Sequence, residues 1–253
     1  MIPGFYESDR ALSEYLLFHY GSPDQILPFP FGPSDAVDFP VRCVRECLDT
    51  KRLPSNARAL DLGCAVGRST FDLARFCEHV IGIDSSRRFV EAADHLRRDG
   101  VLSFRYLEAG ALTKAAVASV PRAIDRRRVK FEIGDAQNLR ADLGEFDVVL
   151  MANLIDRLQD PAACLSCLLR LIRPGGQLII TSPYTWLTEY TPREKWLGGY
   201  EEEGVAVTTL AALQNILAPN FSLTFRKDLP FLIREHARKF QWSVAEATGW
   251  IRV

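Results

Sequence analysis

The residues whose spacing carries the most chemistry are Asp61-Leu62-Gly63-Cys64-Ala65-Val66-Gly67-Arg68-Ser69. An apolar run enters, two glycines four apart permit a tight turn, and a helical pattern leaves. Such a turn lets a ligand approach the backbone, and the free N–H groups at the helix start attract anionic groups. Three ligand classes use this geometry. A phosphate-binding P-loop needs Gly-Lys-Ser/Thr after a longer gap, where the chain has Gly67-Arg68-Ser69. A dinucleotide fingerprint needs glycine at position 65, where the chain has alanine. The third has two glycines four apart led by an acidic residue, as this chain does. Asp84, Asp135 and Asn153 close the next three apolar runs, with Ser85 and Ala136 beside the two acids. All these positions fall at carboxyl ends of strands, where open α/β sheets bind ligands.

The elements that must position these residues follow from periodicity. Short apolar runs at 59–63, 80–84, 129–135, 146–153 and 177–182 read as strands. Helices are expected at 69–76, at 86–98, and from Asp160-Pro161, a cap followed by a first-turn proline, to Pro174-Gly175-Gly176. Alternating strands and helices imply a parallel sheet covered on both faces. Ahead of it, 7–20 reads as an amphipathic helix, five prolines between Pro23 and Pro40 impose an extended wrap, and 38–50 reads as a second helix. Residues 100–128 break the rhythm and contain Arg126-Arg127-Arg128, read as a solvated insertion. Residues 205–217 read as a late helix, and 221–253 as two strands joined by 234–239. The division expected is an N-terminal helical extension, 1–56, and a core, 57–253.

The glycine turn with its leading Asp61 resembles the first motif of class I S-adenosylmethionine-dependent methyltransferases. That resemblance implies a Rossmann-like α/β fold with a seven-stranded, mostly parallel sheet and an antiparallel last strand. It implies S-adenosylmethionine as cofactor, held by Asp61, Gly63, Cys64, Ala65, Gly67, Asp84, Ser85, Asp135, Ala136 and Asn153, with Tyr15 closing over it. Asp84 would accept both ribose hydroxyl hydrogens and Asp135 would lie beside the adenine amino group. Asp61 would hydrogen-bond the turn or reach the methionine ammonium.

Longer stretches resemble the mercaptohistidine N-methyltransferases of ovothiol biosynthesis, commonly the C-terminal domain of a fused sulfoxide synthase. These are Tyr6-Glu7-Ser8-Asp9, the run from Glu14 through Tyr20 to Gly21, Ser182-Pro183-Tyr184-Thr185-Trp186, Lys195-Trp196-Leu197-Gly198-Gly199, Pro230-Phe231-Leu232-Ile233-Arg234-Glu235, and Arg238-Lys239-Phe240-Gln241-Trp242. The implied reaction is methylation of the imidazole π nitrogen, giving ovothiol A. With its own Met1 the chain is expected to stand alone, alongside a separate sulfoxide synthase and lyase. A zwitterionic acceptor needs a cation for its carboxylate, an acceptor for its ammonium and a wall for its ring. Arg234 is expected to grip the carboxylate with two bonds, with Lys239 beside it, although it could equally be a surface arginine paired with Glu235. Tyr184 and Trp186 are expected to wall the ring, with Asn153 and Tyr184 nearest the reacting atoms. Asp156 and Tyr20 complete the substrate set, although Asp156 could equally cap a helix and the tryptophan could belong to a buried flap. His19, on the same helix as Tyr15, reads as structural. Another small amine, phenol or thiol acceptor, or a non-catalytic cofactor-binding role, stays open.

Composition sets the outer limits. The 253 residues carry 31 Lys+Arg against 32 Asp+Glu, a net charge of -1, so no global positive field draws in nucleic acid. No apolar stretch is long enough to span a bilayer, and the first ten residues lack a secretory pattern, so a cytoplasmic setting with reduced thiols is expected. Six cysteines are too few for a disulfide scaffold. A four-thiolate zinc site from Cys43, Cys47, Cys164 and Cys167 is conceivable by spacing, but both pairs fall within apolar helical patterns, so no metal is expected.

Overall fold

The computed structural model describes residues 5–253; residues 1–4, the start of the expected extension and of the segment read for a secretory leader, lie outside the described residues. The chain enters through helix α1 (Asp9–Tyr20), whose first turn is capped by Ser8 accepting from the Ala11 N–H. A one-turn helix α2 (Pro23–Ile26) follows, closed by a reciprocal capping box between Ser22 and Gln25. Helix α3 (Phe39–Arg45) is shorter than the expected 38–50. The Gln177 side chain donates to Asp49 O and accepts from Asp49 N–H, which pins the chain to the sheet where the helix would have continued. Cys47 and Leu48 still face the core from the turn that follows.

Strand β1 (Arg58–Leu62), helix α4 (Arg68–Leu73), strand β2 (His79–Asp84) and helix α5 (Arg87–Asp99) form the first right-handed units. Residues 100–128 are more than a solvated insertion. Strands β3 (Val101–Ala109) and β4 (Leu112–Ser119) make an antiparallel hairpin, and Tyr106 and Ala116 pack on Leu17 of α1. Arg126 of the basic run donates to the carbonyls of Leu96 and Arg97, satisfying the end of α5.

Strands β5 (Val129–Ile133), β6 (Phe146–Ala152) and β7 (Ile172–Ser182) complete the parallel set, with helix α6 (Pro161–Leu168) between the last two. The helix stops six residues before Pro174-Gly175-Gly176. That tripeptide instead forms a bulge, where pairing with β6 jumps from Phe146–Ile172 to Val148–Gln177. A small hairpin, β8 (Tyr200–Glu202) with β9 (Val205–Val207), takes the first residues of the expected late helix. Helix α7 (Thr209–Leu217) then starts behind its Thr208 cap. Strands β10 (Phe221–His236) and β11 (Lys239–Arg252) form a long hairpin whose turn is only Ala237–Arg238, not the expected 234–239.

The central sheet runs β10-β11-β7-β6-β1-β2-β5. Strands β1, β2, β5, β6 and β7 pair in parallel, and β11 is antiparallel to both its neighbours. This is the Rossmann-like seven-stranded fold that the family resemblance implied. Alternate residues of β6 explain the unbroken apolar run: Val148 and Leu150 pack toward α3, α4 and α5, while Val149 and Met151 pack toward α6 and α7. The order of pairing reverses between β1 and β6, so a crevice opens at their carboxyl ends. Cys43 and Cys47 belong to the core on one face and Cys164 to the core on the other, so the sheet separates the two cysteine pairs.

Candidate active site

The crevice holds a cavity of about 350 Å³. Its lining joins the ends of β1, β2, β5 and β6 to the inner face of α1, to α3 and to β10. One half is built from Gly63, Ala65, Ser69, Asp84, Ser85, Asp135, Ala136 and Asn153; the other from Tyr6, Tyr15, Phe18, His19, Phe39, Arg157 and Ile233.

In the first half, backbone geometry does much of the positioning. Gly63, Ala65 and Gly67 all have left-handed φ, +73°, +47° and +85°. At Ala65 that conformation costs free energy, which a side chain offsets: its N–H donates to Asp84 Oδ2 at 2.9 Å, while Ser86 N–H donates to Oδ1 at 2.8 Å. Each Asp84 oxygen keeps a lone pair, so the carboxylate braces the turn and can still accept two hydroxyl hydrogens. Burial pushes its carboxyl above the usual carboxylate range, against the two N–H donors. Asp135 accepts from Gln137 N–H and stands at the cavity rim. Asn153, also left-handed at φ +52°, accepts from Thr181 Oγ1 through its carbonyl oxygen, which leaves its NH₂ for the cavity.

Gly67 and Cys64 belong to the turn without lining the cavity. A Cβ on Gly67 would lie 2.5 Å from the Phe131 ring, so this glycine lets β5 pack against the turn. Asp61 lies beneath Ser69. Its Oδ2 accepts from Ser69 Oγ (3.0 Å) and Thr70 Oγ1 (2.7 Å), while Oδ1 is buried without a partner. Burial raises its carboxyl to about 6. Asp61 is wholly buried and, like Gly67 and Cys64, outside the cavity lining; its bare Oδ1 and the free lone pairs of Asp84, which does line the cavity, fit a nucleoside bearing a cationic group.

The second half comes largely from α1. Tyr15 packs at a tilt against Phe89 (4.8 Å between centroids), and burial raises its phenol, so it stays a neutral O–H. One helical turn on, His19 faces the same cavity. Tyr20 sits outside it: its O–H donates to Val66 O at 2.8 Å and fastens α1 to the glycine turn. Asp156 is fully buried and also lies outside the lining, accepting from Thr185 N–H and from Arg157 Nη1. It thereby holds the Arg157 guanidinium, which lies over the Tyr190 ring at 4.7 Å.

Four expected substrate residues are placed elsewhere. Arg234 is buried, donates to Gln25 O and Glu108 Oε2, and lies over the Tyr106 ring. It follows Ile233, which lines the cavity, and consecutive strand residues point to opposite faces. Lys239 is exposed and pairs with Glu235 at 2.9 Å. Trp186 is buried, donating from Nε1 to Thr209 Oγ1, so it anchors α7 as part of a flap. Tyr184 donates its O–H to Glu246 Oε2 at 2.7 Å on the β11 side. The cavity instead recruits Tyr6, Phe18, Phe39 and Arg157, which the sequence reading did not select. The signals available were the shared helical face of Tyr15, Phe18 and His19, and a cation just past the end of β6.

A family described as "Methyltransferase domain" matches residues 60–180, the stretch from β1 into β7. The ubiquinone biosynthesis O-methyltransferase of Aromatoleum aromaticum is 27% identical over 49% of this chain and 43% of its own length. Phosphoethanolamine N-methyltransferase 1 of Arabidopsis thaliana is 26% identical over 76% of this chain and 35% of its own length. The chain thus spans half or less of these curated relatives. The N-methyltransferase NodS of Bradyrhizobium japonicum, solved with S-adenosyl-L-homocysteine, superposes with a TM-score of 0.54 at 15% identity, covering 95% of this chain and 98% of that one. Together these likenesses show the Rossmann-like methyltransferase fold, with the methyltransferase-domain match confined to residues 60–180.

Proposed function

We propose that this chain methylates the imidazole π nitrogen of mercaptohistidine, giving ovothiol A. The observation that carries the reading is the make-up of the cavity's second half. Aromatic rings of Tyr6, Tyr15, Phe18 and Phe39 surround a space beside Arg157, the one Lys or Arg among the described lining residues. That combination suits a planar ring bearing a carboxylate. Arg157 replaces Arg234 as the carboxylate partner, held in orientation by Asp156 and Thr185 O. The likeness of residues 6–21 and 230–242 to mercaptohistidine N-methyltransferases supports the same acceptor, because those segments supply Tyr6, Tyr15, Phe18 and Ile233 to the cavity.

S-adenosylmethionine, when bound, supplies a methyl group on a sulfonium that departs as a neutral thioether. The chain's own residues align and exclude. Asp84 would receive the ribose hydroxyls, Asp135 the adenine edge and Asp61 the ammonium. Asn153 would orient the acceptor ring through its NH₂, and the α1 aromatics would keep water out. The mercaptohistidine would come from a separate sulfoxide synthase and lyase, in the cytoplasm. A phosphoethanolamine-type acceptor is the second reading, because Arg157 would serve a phosphate as well as a carboxylate.

Incubation with S-adenosylmethionine and a panel of mercaptohistidine, histidine, phosphoethanolamine and a catechol, followed by mass spectrometry, decides between them. Mercaptohistidine should gain one methyl group far faster than the others. Methylation of histidine in preference to the thiol-bearing ring defeats the assignment.

A further inference from the structure

His19 is 8% exposed, faces the cavity, and has no hydrogen bond from either ring nitrogen to any described residue. Its Nδ1 is wholly buried without a partner. Buried polar atoms nearly always carry one, so His19 brings an unmet hydrogen bond to the wall of the cavity that it lines. Its surroundings reinforce this. Tyr15, Phe18 and Tyr20 present rings to it at 6.0, 5.4 and 6.3 Å between centroids, and none hydrogen-bonds it.

We propose that His19 is a specificity-determining residue of the acceptor site, whose uncharged imidazole accepts a hydrogen bond from a ring N–H of the methyl acceptor and so selects acceptors that bring one. The inference rests on the preceding reading only in placing the acceptor in the α1 half of the cavity. The other polar groups there explain why His19 acts as acceptor. Arg157 and the Asn153 NH₂ donate, and the lone pairs that Asp84 keeps belong to the other half of the cavity, with the glycine turn. A ring N–H entering among the aromatics therefore finds donors on most sides and an acceptor at His19. Burial, joined by the nearby Arg68 guanidinium, holds the ring uncharged by lowering it to about 3. A neutral imidazole offers one lone pair and one N–H, whereas a charged one would offer no lone pair and would repel a cationic cofactor in the same cavity.

The test uses two small probes, imidazole and 1-methylimidazole, at about pH 8 where both are neutral. They are titrated into protein saturated with S-adenosylhomocysteine and labelled with ¹⁵N at its four histidines. His19→Asn assigns the His19 ring signals by their loss. Imidazole should move those signals and bind about fivefold or more tighter than its N-methylated analogue, the worth of one hydrogen bond. In His19→Phe that ratio should fall to about one, with S-adenosylhomocysteine affinity and melting temperature unchanged; His19→Asn, which retains an acceptor, should keep it. Unmoved His19 signals, an equal ratio in wild type and His19→Phe, or cofactor affinity falling in step with the ratio, each overturns the proposal. If His19→Phe does not fold, the wild-type titration and His19→Asn decide alone. Failure of the mercaptohistidine assay with intact imidazole selection removes the substrate reading and leaves His19 assigned; turnover with unmoved His19 signals does the reverse.

Discussion

If Asp61 receives the cofactor's ammonium, as proposed, its burial ties cofactor affinity to pH. Its Oδ2 is satisfied by Ser69 and Thr70 and its Oδ1 is bare, and burial holds the carboxyl at about 6 rather than near 3.8. The sign follows directly. Below about pH 6 the unliganded site carries a proton that a ligand ammonium must displace, so affinity falls with falling pH, by at most about tenfold per pH unit. Above about pH 7 the carboxylate is already formed and affinity is flat. Calorimetry of S-adenosylhomocysteine near pH 6, in buffers of differing ionisation enthalpy, should therefore record proton release. The release should vanish in Asp61→Asn along with most of the affinity. Binding without proton exchange at pH 6 would detach Asp61 from the ammonium. The place of Asp61 at the end of β1 was legible in the sequence because local order fixes it: an acid closing an apolar run ahead of a glycine turn. His19 was not, since a histidine's burial and missing partners are set by α4 and by a cavity wall that no spacing on α1 reveals.

Among the elements, the glycine turn is shaped by packing as much as by ligand. Gly67 caps α4 at φ +85°, and an added Cβ would sit 2.5 Å from Phe131 Cζ and 3.1 Å from the Ala93 Cβ. β5 and α5 thus press onto the turn from the side opposite the cavity. Gly67→Ala should cost about 2–3 kcal/mol, combining left-handed backbone strain with overpacking, measured by denaturant unfolding. Phe131→Leu should restore part of that loss in the double variant, because it vacates the space the methyl needs. Additive losses would mean that backbone strain alone is responsible. The parallel strands were legible because both faces are buried and the runs are apolar throughout. The β3–β4 hairpin was not: its inward residues, Tyr106, Ala116 and Ala118, are few and interrupted by exposed neighbours, so no period stands out.

Across the whole molecule, the N-terminal segment, the hairpin and the β10–β11 arm converge on Arg234. Its guanidinium joins Gln25 O, 209 residues away in sequence, to Glu108, 126 residues away, beneath the Tyr106 ring. The α2 turn, the β3–β4 hairpin and the β10–β11 arm are therefore cross-braced at a buried cation outside the cavity. Separations of that length are why the sequence invited a ligand role for Arg234: an arginine in the last hairpin suggests a carboxylate grip until the fold brings Glu108 to it. The two roles make opposite demands on experiment. Arg234→Met keeps much of the side-chain volume but removes both hydrogen bonds, leaving the Gln25 carbonyl without its guanidinium donor and Glu108 paired with Lys114 alone. The expected loss is about 2–3 kcal/mol, a fall in melting temperature of roughly 5–10 °C for a chain of this size. The Michaelis constant for the acceptor, measured well below the transition, should stay within about twofold of wild type, since no contact to the cavity is lost. Arg157→Lys should divide the other way, raising that constant about tenfold because an ammonium cannot reproduce the guanidinium fork, with little change in melting temperature. An Arg234→Met variant of normal stability but weakened acceptor binding would return the carboxylate to Arg234 and move the acceptor toward the β10–β11 turn.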